Sequence, residues 1–174
     1  MTTRRKPQCE LVFEEEGTGQ QPRADEPSSS STRMRAQRSV HLLFVDDDPL
    51  AEMTLRRAFR RLGVDGPLTI AHDGLEALEL LRDPFFPLDR CLILLDLNMP
   101  RMDGLELLRE LEADPVLALV PVVVMTTSDD HHDLAAAYSA GASSYFVKPV
   151  RFADFVAQVG SILDYWSRVM PPPT

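Results

Sequence analysis

Five short apolar runs alternate with five longer segments of helical period, and this alternation constrains the fold more than any other feature of the sequence. The apolar runs predict strands at residues 40–45, 68–71, 91–95, 121–125 and 145–147. The intervening segments predict helices at residues 50–62, 75–81, 105–111, 134–140 and 151–169. Strands that are apolar throughout are typical of a parallel sheet with helices on both faces.

The order of these elements predicts an α/β protein with a doubly wound, flavodoxin-like (βα)5 fold and the strand order 2-1-3-4-5. Asp48 suits the N-cap of the first helix, and Gly63 suits its end. Gly104 stands in the loop after the third strand, where a glycine permits a positive φ. The last helix would be about 28 Å long, so its final turns would overhang the sheet.

Residues 1–38 differ in composition from the rest of the chain. They are rich in Ser, Gln, Glu, Arg and Pro, and they offer too little apolar surface to offset the entropy of folding. We therefore predict a disordered tail there, a folded domain with an extended C-terminal helix at residues 39–170, and a Pro-rich tail at residues 171–174. Met34 is an alternative start of the chain.

Charge and composition exclude several classes of function. The formal net charge is -9, from 27 acidic and 18 basic residues, which argues against a nucleic-acid partner. No apolar run reaches the roughly 20 residues of a membrane-spanning helix, and the N-terminus lacks the apolar core of a secretory signal. Cys9 and Cys91 differ in setting, so a disulfide framework is not expected. We predict a cytoplasmic protein.

Polar residues follow four of the five predicted strands directly. They are Asp46, Asp47 and Asp48 after the first strand, Asp96 after the third, Thr126 and Thr127 after the fourth, and Lys148 after the fifth. Ligands of open parallel sheets bind beyond the carboxyl ends of the strands, so these groups would meet at one edge. Clustered carboxylates need a cation, and hard oxygen ligands suit Mg²⁺. A carboxylate held by one metal and one lysine is a candidate phosphoacceptor.

Four separated blocks of the sequence carry a family resemblance. The blocks LLFVDDDP, LILLDLNMPRMDGLELL, PVVVMTTS and AGASSYFVKP, within residues 39–166, resemble the receiver domains of response regulators. The resemblance implies that Asp96 is the phosphoacceptor and that Asp46 and Asp47 are the acidic pair for Mg²⁺, with Asp47 favoured as the direct ligand. It also implies that the backbone carbonyl of Asn98 is a metal ligand.

The same resemblance assigns the groups that would respond to phosphorylation. It makes Thr126 the switch hydroxyl, Lys148 the phosphate-bound lysine and Tyr145 the aromatic switch residue. Asn98 and Ser128 stand two residues beyond Asp96 and Thr126, where side chains face the attacking water and tune dephosphorylation. Neither residue is acidic or basic, so we expect no strong internal assistance to hydrolysis.

Two further features resemble the single-domain regulators that partner phytochrome-type histidine kinases. They are the longer loop at residues 83–89 and the continuation of the last helix through Tyr165 and Trp166. We therefore predict a sensor histidine kinase of the phytochrome type as the partner. Tyr165, Trp166 and Val169 would expose apolar surface, which favours a symmetric homodimer; the alternative is that Trp166 packs on its own domain.

Other functions are less compatible with these residues. A haloacid-dehalogenase-like phosphatase needs an acid two residues after its nucleophile, where Asn98 stands. An FMN carrier needs a phosphate-binding loop after the first strand, where Asp46, Asp47 and Asp48 would repel phosphate. A DNA-binding transcription factor would need residues beyond this domain. The nearest alternative is a phosphorelay shuttle or phosphate sink that passes its phosphoryl group to a histidine phosphotransferase.

Overall fold

The computed structural model describes residues 40–169, in which five strands and five helices alternate. The elements are β1 (His41–Val45), α1 (Pro49–Leu62), β2 (Leu68–Ala71), α2 (Gly74–Arg82), β3 (Cys91–Leu95), α3 (Gly104–Ala113), β4 (Val122–Thr126), α4 (His131–Ser139), β5 (Ser144–Val147) and α5 (Phe152–Arg168). Short 3-10 turns at Leu88–Arg90 and Leu117–Leu119 precede β3 and β4. The predicted tails, residues 1–38 and 171–174, lie outside the described residues.

All five strands form one parallel sheet in the order β2-β1-β3-β4-β5, which confirms the predicted fold and strand order. Two interior strands, β3 and β4, are buried along their whole length, as the continuous apolar runs predict. Across residues 40–169, none of the helices is long and apolar enough to cross a lipid bilayer.

Successive side chains of the strands point to opposite faces of the sheet and build two cores. One core packs the strands against α2, α3 and α4, and its strand residues include Leu43, Val45, Ile93, Leu95, Val122 and Val124. The other core packs them against α1 and α5, and its strand residues are Leu42, Phe44, Leu92, Leu94, Val123 and Met125. Because both faces are covered, polar chemistry is left to the ends of the strands.

The ends of α1 agree with the sequence. The carboxylate of Asp48 accepts a hydrogen bond of 2.9 Å from the amide of Leu50, which makes Asp48 the N-cap as predicted. Gly63 ends the helix with a φ of 65°, a conformation that glycine adopts without strain. These two signals are local, and therefore the sequence alone was sufficient to place them.

The expectation of a positive φ at Gly104 was wrong. Gly104 is the first residue of α3, and the positive φ in this loop falls on Arg101, at 67°. A Cβ atom on Gly104 would collide with the backbone of Asp96 and Leu97. The glycine is needed for close packing, which brings the start of α3 directly against the end of β3.

Candidate functional site

The carboxyl edge of the sheet brings together Asp46, Asp96 and Lys148. Each follows a strand directly, and its backbone amide still bonds to the neighbouring strand. The amide of Asp46 donates to the carbonyl of Ala71 at 3.0 Å, the amide of Asp96 to that of Val45 at 2.9 Å, and the amide of Lys148 to that of Thr126 at 2.7 Å. The sheet therefore sets the positions of all three side chains.

The ammonium group of Lys148 bridges two carboxylates. Its Nζ lies 2.7 Å from Oδ2 of Asp46 and 2.9 Å from Oδ1 of Asp96. The side chains of Asp46, Asp96 and Lys148 are only 1%, 8% and 18% exposed. Buried charges are tolerated when they are paired and hydrogen-bonded, and this cluster satisfies both conditions.

The second oxygen of each carboxylate accepts a backbone hydrogen bond. Oδ1 of Asp46 accepts from the amide of Asp48 at 3.0 Å, and Oδ2 of Asp96 accepts from the amide of Asn98 at 2.9 Å. Both amides belong to the residue two positions further along the chain, as in an Asx turn. The loops after β1 and β3 therefore orient the two carboxylates.

Burial and charge act in opposite directions on this cluster. Burial raises the pKa of Asp46, and the hydrogen bond and charge of Lys148 offset that effect only in part. Burial also disfavours the charged form of Lys148, but its hydrogen bonds and attraction to Asp46 and Asp96 outweigh burial and raise its pKa. Lys148 therefore stays protonated at neutral pH.

The oxygen groups at this edge fit a small hard cation. Asp47 follows Asp46 and is exposed to solvent, and Asn98 is exposed in the loop after Asp96. Between residues 40 and 169, no group of three or more His, Cys, Asp or Glu side chains forms a preformed metal cage. Mg²⁺ does not need such a cage, because it keeps several waters and takes further oxygen ligands from a bound phosphate.

Thr126 lies at the same edge and is fully buried. Its hydroxyl oxygen accepts from the side-chain amide of Asn98 at 3.5 Å and from the backbone amide of Ser128 at 3.4 Å. Both contacts are long for hydrogen bonds of this kind, so they hold the hydroxyl weakly. The structure thus places Thr126 at the carboxyl edge of the sheet, as the sequence predicts, with the side chain of Asn98 beside it.

Ser128 has a different environment from the one that the sequence suggested. Its hydroxyl donates to Oδ2 of Asp133 at 2.6 Å and accepts from the amide of Asp130 at 3.2 Å, so it belongs to the first turn of α4. The hydroxyl of Tyr145 donates to the backbone carbonyl of Ser128 at 2.9 Å. Burial and nearby carboxylates raise the pKa of Tyr145 against the opposing effect of this hydrogen bond.

The aromatic residues at the end of α5 are half-buried. Trp166 packs against the core between the sheet, α1 and α5, and its ring meets that of Tyr165 edge-on at 5.2 Å. Val169 directly follows the helix and is half-buried as well. These three residues lie far from the carboxyl edge, because α5 runs back along the sheet from β5.

The pairing of Asp73 with Arg101 was not predicted from the sequence. The structure pairs the buried carboxylate of Asp73, which caps α2, with the guanidinium of Arg101 in the loop after β3. The Asp73-Gly74 dipeptide signals only the start of a helix. An ion pair between two separate loops has no local sequence signature, so it could be found only in the folded chain.

Comparison with known proteins gives one consistent family. The family model of the response regulator receiver domain matches residues 42–160. The chain is 40% identical over 128 residues to the probable methanogenesis regulatory protein FilR2 of Methanothrix harundinacea, a match that covers 72% of this chain and 82% of FilR2. It is 32% identical over 136 residues to the response regulator Rcp1 of Synechocystis, covering 76% of this chain and 92% of Rcp1.

Two solved structures support the same assignment. The Mn²⁺-bound form of Rcp1 is 31% identical with a TM-score of 0.66, covering 78% of this chain and 99% of that chain. The phosphorylated cyanobacterial phytochrome response regulator RcpA is 29% identical with a TM-score of 0.67, covering 78% of this chain and 100% of that chain. Because the family model spans more than half of the sequence and the fold agrees, the chain belongs to the response regulator receiver domain family of two-component signalling.

Proposed function

We propose that the protein accepts a phosphoryl group on Asp96 from a sensor histidine kinase. The observation that carries this proposal is the bridge formed by Lys148 between Asp96 and Asp46 at the carboxyl edge of the sheet. An ammonium within 2.9 Å of the acceptor carboxylate can follow the developing negative charge when a phosphoryl group arrives. Asp47 and Asn98, which flank this buried cluster in the chain, are exposed to solvent, so a phosphohistidine can approach from their side.

The transfer itself is a displacement at phosphorus. An oxygen of the Asp96 carboxylate attacks, the P–N bond of the phosphohistidine breaks with its electron pair leaving on the imidazole, and an acyl phosphate forms. The carboxylates of Asp46, Asp47 and Asp96 and the carbonyl of Asn98 would hold Mg²⁺, which supplies charge neutralisation for the phosphoryl oxygens when bound. The positions of these residues support this assignment.

Thr126 and Tyr145 would report the phosphorylation to the surface. The hydroxyl of Thr126 is held weakly by Asn98 and Ser128, so it is available to donate to a phosphoryl oxygen on Asp96. Tyr145 is tied to the carbonyl of Ser128 in the segment that would move with Thr126. New phosphate contacts would therefore shift the population between two arrangements of the β4–α4 segment and Tyr145.

The residues two positions beyond Asp96 and Thr126 bear on the lifetime of the phosphorylated state. Asn98 is neutral and exposed, and the hydroxyl of Ser128 is already engaged by Asp133. Neither side chain supplies a base for an attacking water. We propose that the protein assists its own dephosphorylation only weakly, through the site that also receives the phosphoryl group.

We further propose that the donor kinase is of the phytochrome type. This rests on the likeness to Rcp1 and to RcpA, and RcpA is named a cyanobacterial phytochrome response regulator. The likeness to named response regulators also favours signalling through the protein's own surface over a phosphorelay shuttle or sink. A cytoplasmic location and a homodimer through Tyr165, Trp166 and Val169 remain predictions; the partial burial of Trp166 reduces the apolar area available for such an interface.

The proposal is tested by intact-mass measurement after incubation with a small-molecule phosphodonor and Mg²⁺. We expect one added phosphoryl group on the protein, and none on Asp96→Asn or without Mg²⁺. The matched control is Asp89→Asn, which removes an exposed carboxylate before β3, at the opposite end of that strand. Equal labelling of Asp96→Asn and the native protein would disprove the assignment of the acceptor.

A further inference from the structure

The loop between β3 and α3 is fixed to the turn between β2 and α2 by three contacts. The guanidinium of Arg101 pairs with the carboxylate of Asp73. The amide of Gly74 donates to the carbonyl of Met102 at 3.2 Å, and the Met102 side chain occupies the space that a Cβ on Gly74 would need. The loop held in this way carries Asn98, the residue whose carbonyl is proposed as a metal ligand.

Arg101 provides the charged partner of the second carboxylate oxygen of Asp73. Its side chain is 1% exposed, and Oδ1 accepts the amide of Glu76 at 2.9 Å to cap α2. Within the described part of the chain, Oδ2 is buried and receives no hydrogen bond, so the guanidinium of Arg101 is the group that compensates its charge. A buried carboxylate that loses such a partner is strongly disfavoured. Separation of the pair would leave a buried carboxylate without a partner, and this cost keeps Arg101 at Asp73.

Arg101 adopts an unusual backbone conformation for its residue type. Its φ of 67° is the one positive value found at a non-glycine residue between positions 40 and 169. Glycine or asparagine would adopt this conformation with less strain. Strained conformations persist where the surrounding structure over-determines them. The ion pair with Asp73 is the contact that accounts for an arginine here.

We propose that Arg101 is a positioning residue for the metal site, because its ion pair with Asp73 holds the β3–α3 loop so that the carbonyl of Asn98 can bind Mg²⁺. This inference rests on the proposed function. The same loop orients the acceptor, since the amide of Asn98 donates to Oδ2 of Asp96 at 2.9 Å. Arg101 acts through the loop, because its side chain, which is 63% exposed, pairs with Asp73.

The substitution Arg101→Gly separates the ion pair from the backbone conformation. Glycine keeps a positive φ without strain, so the loop can fold while the guanidinium is lost. We expect Mg²⁺ to bind about tenfold more weakly in calorimetric titration of the full chain, which is the lower end of the effect of partners behind metal ligands. Charge alone predicts tighter binding of Mg²⁺ by Arg101→Gly, because the removal of a positive group near the site favours a cation.

Two further variants make the result specific. Arg90→Gly removes an exposed arginine at the opposite end of β3 and should leave the affinity for Mg²⁺ unchanged. Arg101→Lys retains the charge without the planar fork and should recover part of the affinity. Urea unfolding of each variant measures stability separately, so a general loss of stability can be distinguished from a local change at the loop.

The outcomes separate this inference from the proposed function. Native-like Mg²⁺ affinity of Arg101→Gly, an equal loss in Arg90→Gly, or no Mg²⁺ binding by the native chain would overturn the positioning role. A native protein that binds Mg²⁺ but takes no phosphoryl group would overturn the proposed function and leave the comparison of affinities valid. Weaker binding by Arg101→Gly alone, with partial rescue by lysine, would support the inference.

Discussion

Replacement of Lys148 by methionine tests whether the buried ammonium stabilises the two carboxylates. The variant keeps an unbranched side chain, one atom shorter, and removes the ammonium, so Asp46 and Asp96 lose a partner at 2.7 and 2.9 Å. At an effective dielectric constant near 20, each attraction is about 6 kcal/mol. Dehydration of the charged groups cancels much of this, and breaking a buried pair costs about 3 to 5 kcal/mol.

The loss of stability in Lys148→Met should depend on pH and on Mg²⁺. Because the pKa of Lys148 is raised by folding, its contribution is fully present below its ordinary value of 10.5 and is lost as the pH rises through the higher folded value. In Lys148→Met, protonation of Asp46, whose pKa burial already raises, relieves its repulsion with Asp96, so the loss of stability relative to the native protein should shrink on acidification. Added Mg²⁺ should narrow it too, since a cation replaces the missing charge.

The assay is urea unfolding followed by circular dichroism at pH 7 and pH 5, with and without Mg²⁺. Lys148→Arg serves as the control that keeps a positive charge. We expect Lys148→Met to lose about 3 kcal/mol at pH 7 without Mg²⁺. If this variant were as stable as the native protein under those conditions, the view that the ammonium stabilises the carboxylate pair would be refuted.

Three other predictions follow from particular contacts. His41 is partly buried, its ring lies 2.8 Å from the hydroxyl of Thr69, and burial lowers its pKa. The free energy of unfolding, measured with urea, should therefore fall as the pH drops below 6.5, and it should fall less in His41→Gln. Gly104→Ala should lose about 1 to 3 kcal/mol of unfolding free energy because its Cβ meets the Asp96 backbone; Gly160→Ala, facing only the tip of Leu62, should not. In sedimentation, Trp166→Ala should weaken the predicted dimer; a native protein that is monomeric well above micromolar concentration would contradict that dimer.

The convergence of Asp46, Asp96 and Lys148 could be predicted because topology determines it. Each residue directly follows an apolar run, and parallel strands bring their carboxyl ends to one edge. The bounds predicted for β2 and β3 agree with the structure, since each run ends where a polar residue follows. The predicted start of α4 was wrong by three residues, because Asp130 caps the helix before its apolar residues begin.

Other features depend on contacts that no local pattern encodes. The hydroxyl of Ser128 turns to Asp133 because a carboxylate in the first turn of α4 lies within reach, and that choice of rotamer is not visible in the sequence. The role of Gly104 required the distance between α3 and the end of β3. The pair between Arg101 and Asp73 required the packing of two loops.

The most direct test of the central claim is the location of the phosphoryl group by reductive trapping. The protein is phosphorylated with a small-molecule donor and Mg²⁺, treated with borohydride, which reduces an acyl phosphate to the alcohol, and mapped by peptide mass spectrometry. In the native protein we predict homoserine at position 96 and unmodified aspartate at positions 46 and 47. In Lys148→Met we predict much less homoserine at position 96. Reduction at another carboxylate, or none despite an added phosphoryl group, would contradict the assignment of Asp96 as the acceptor.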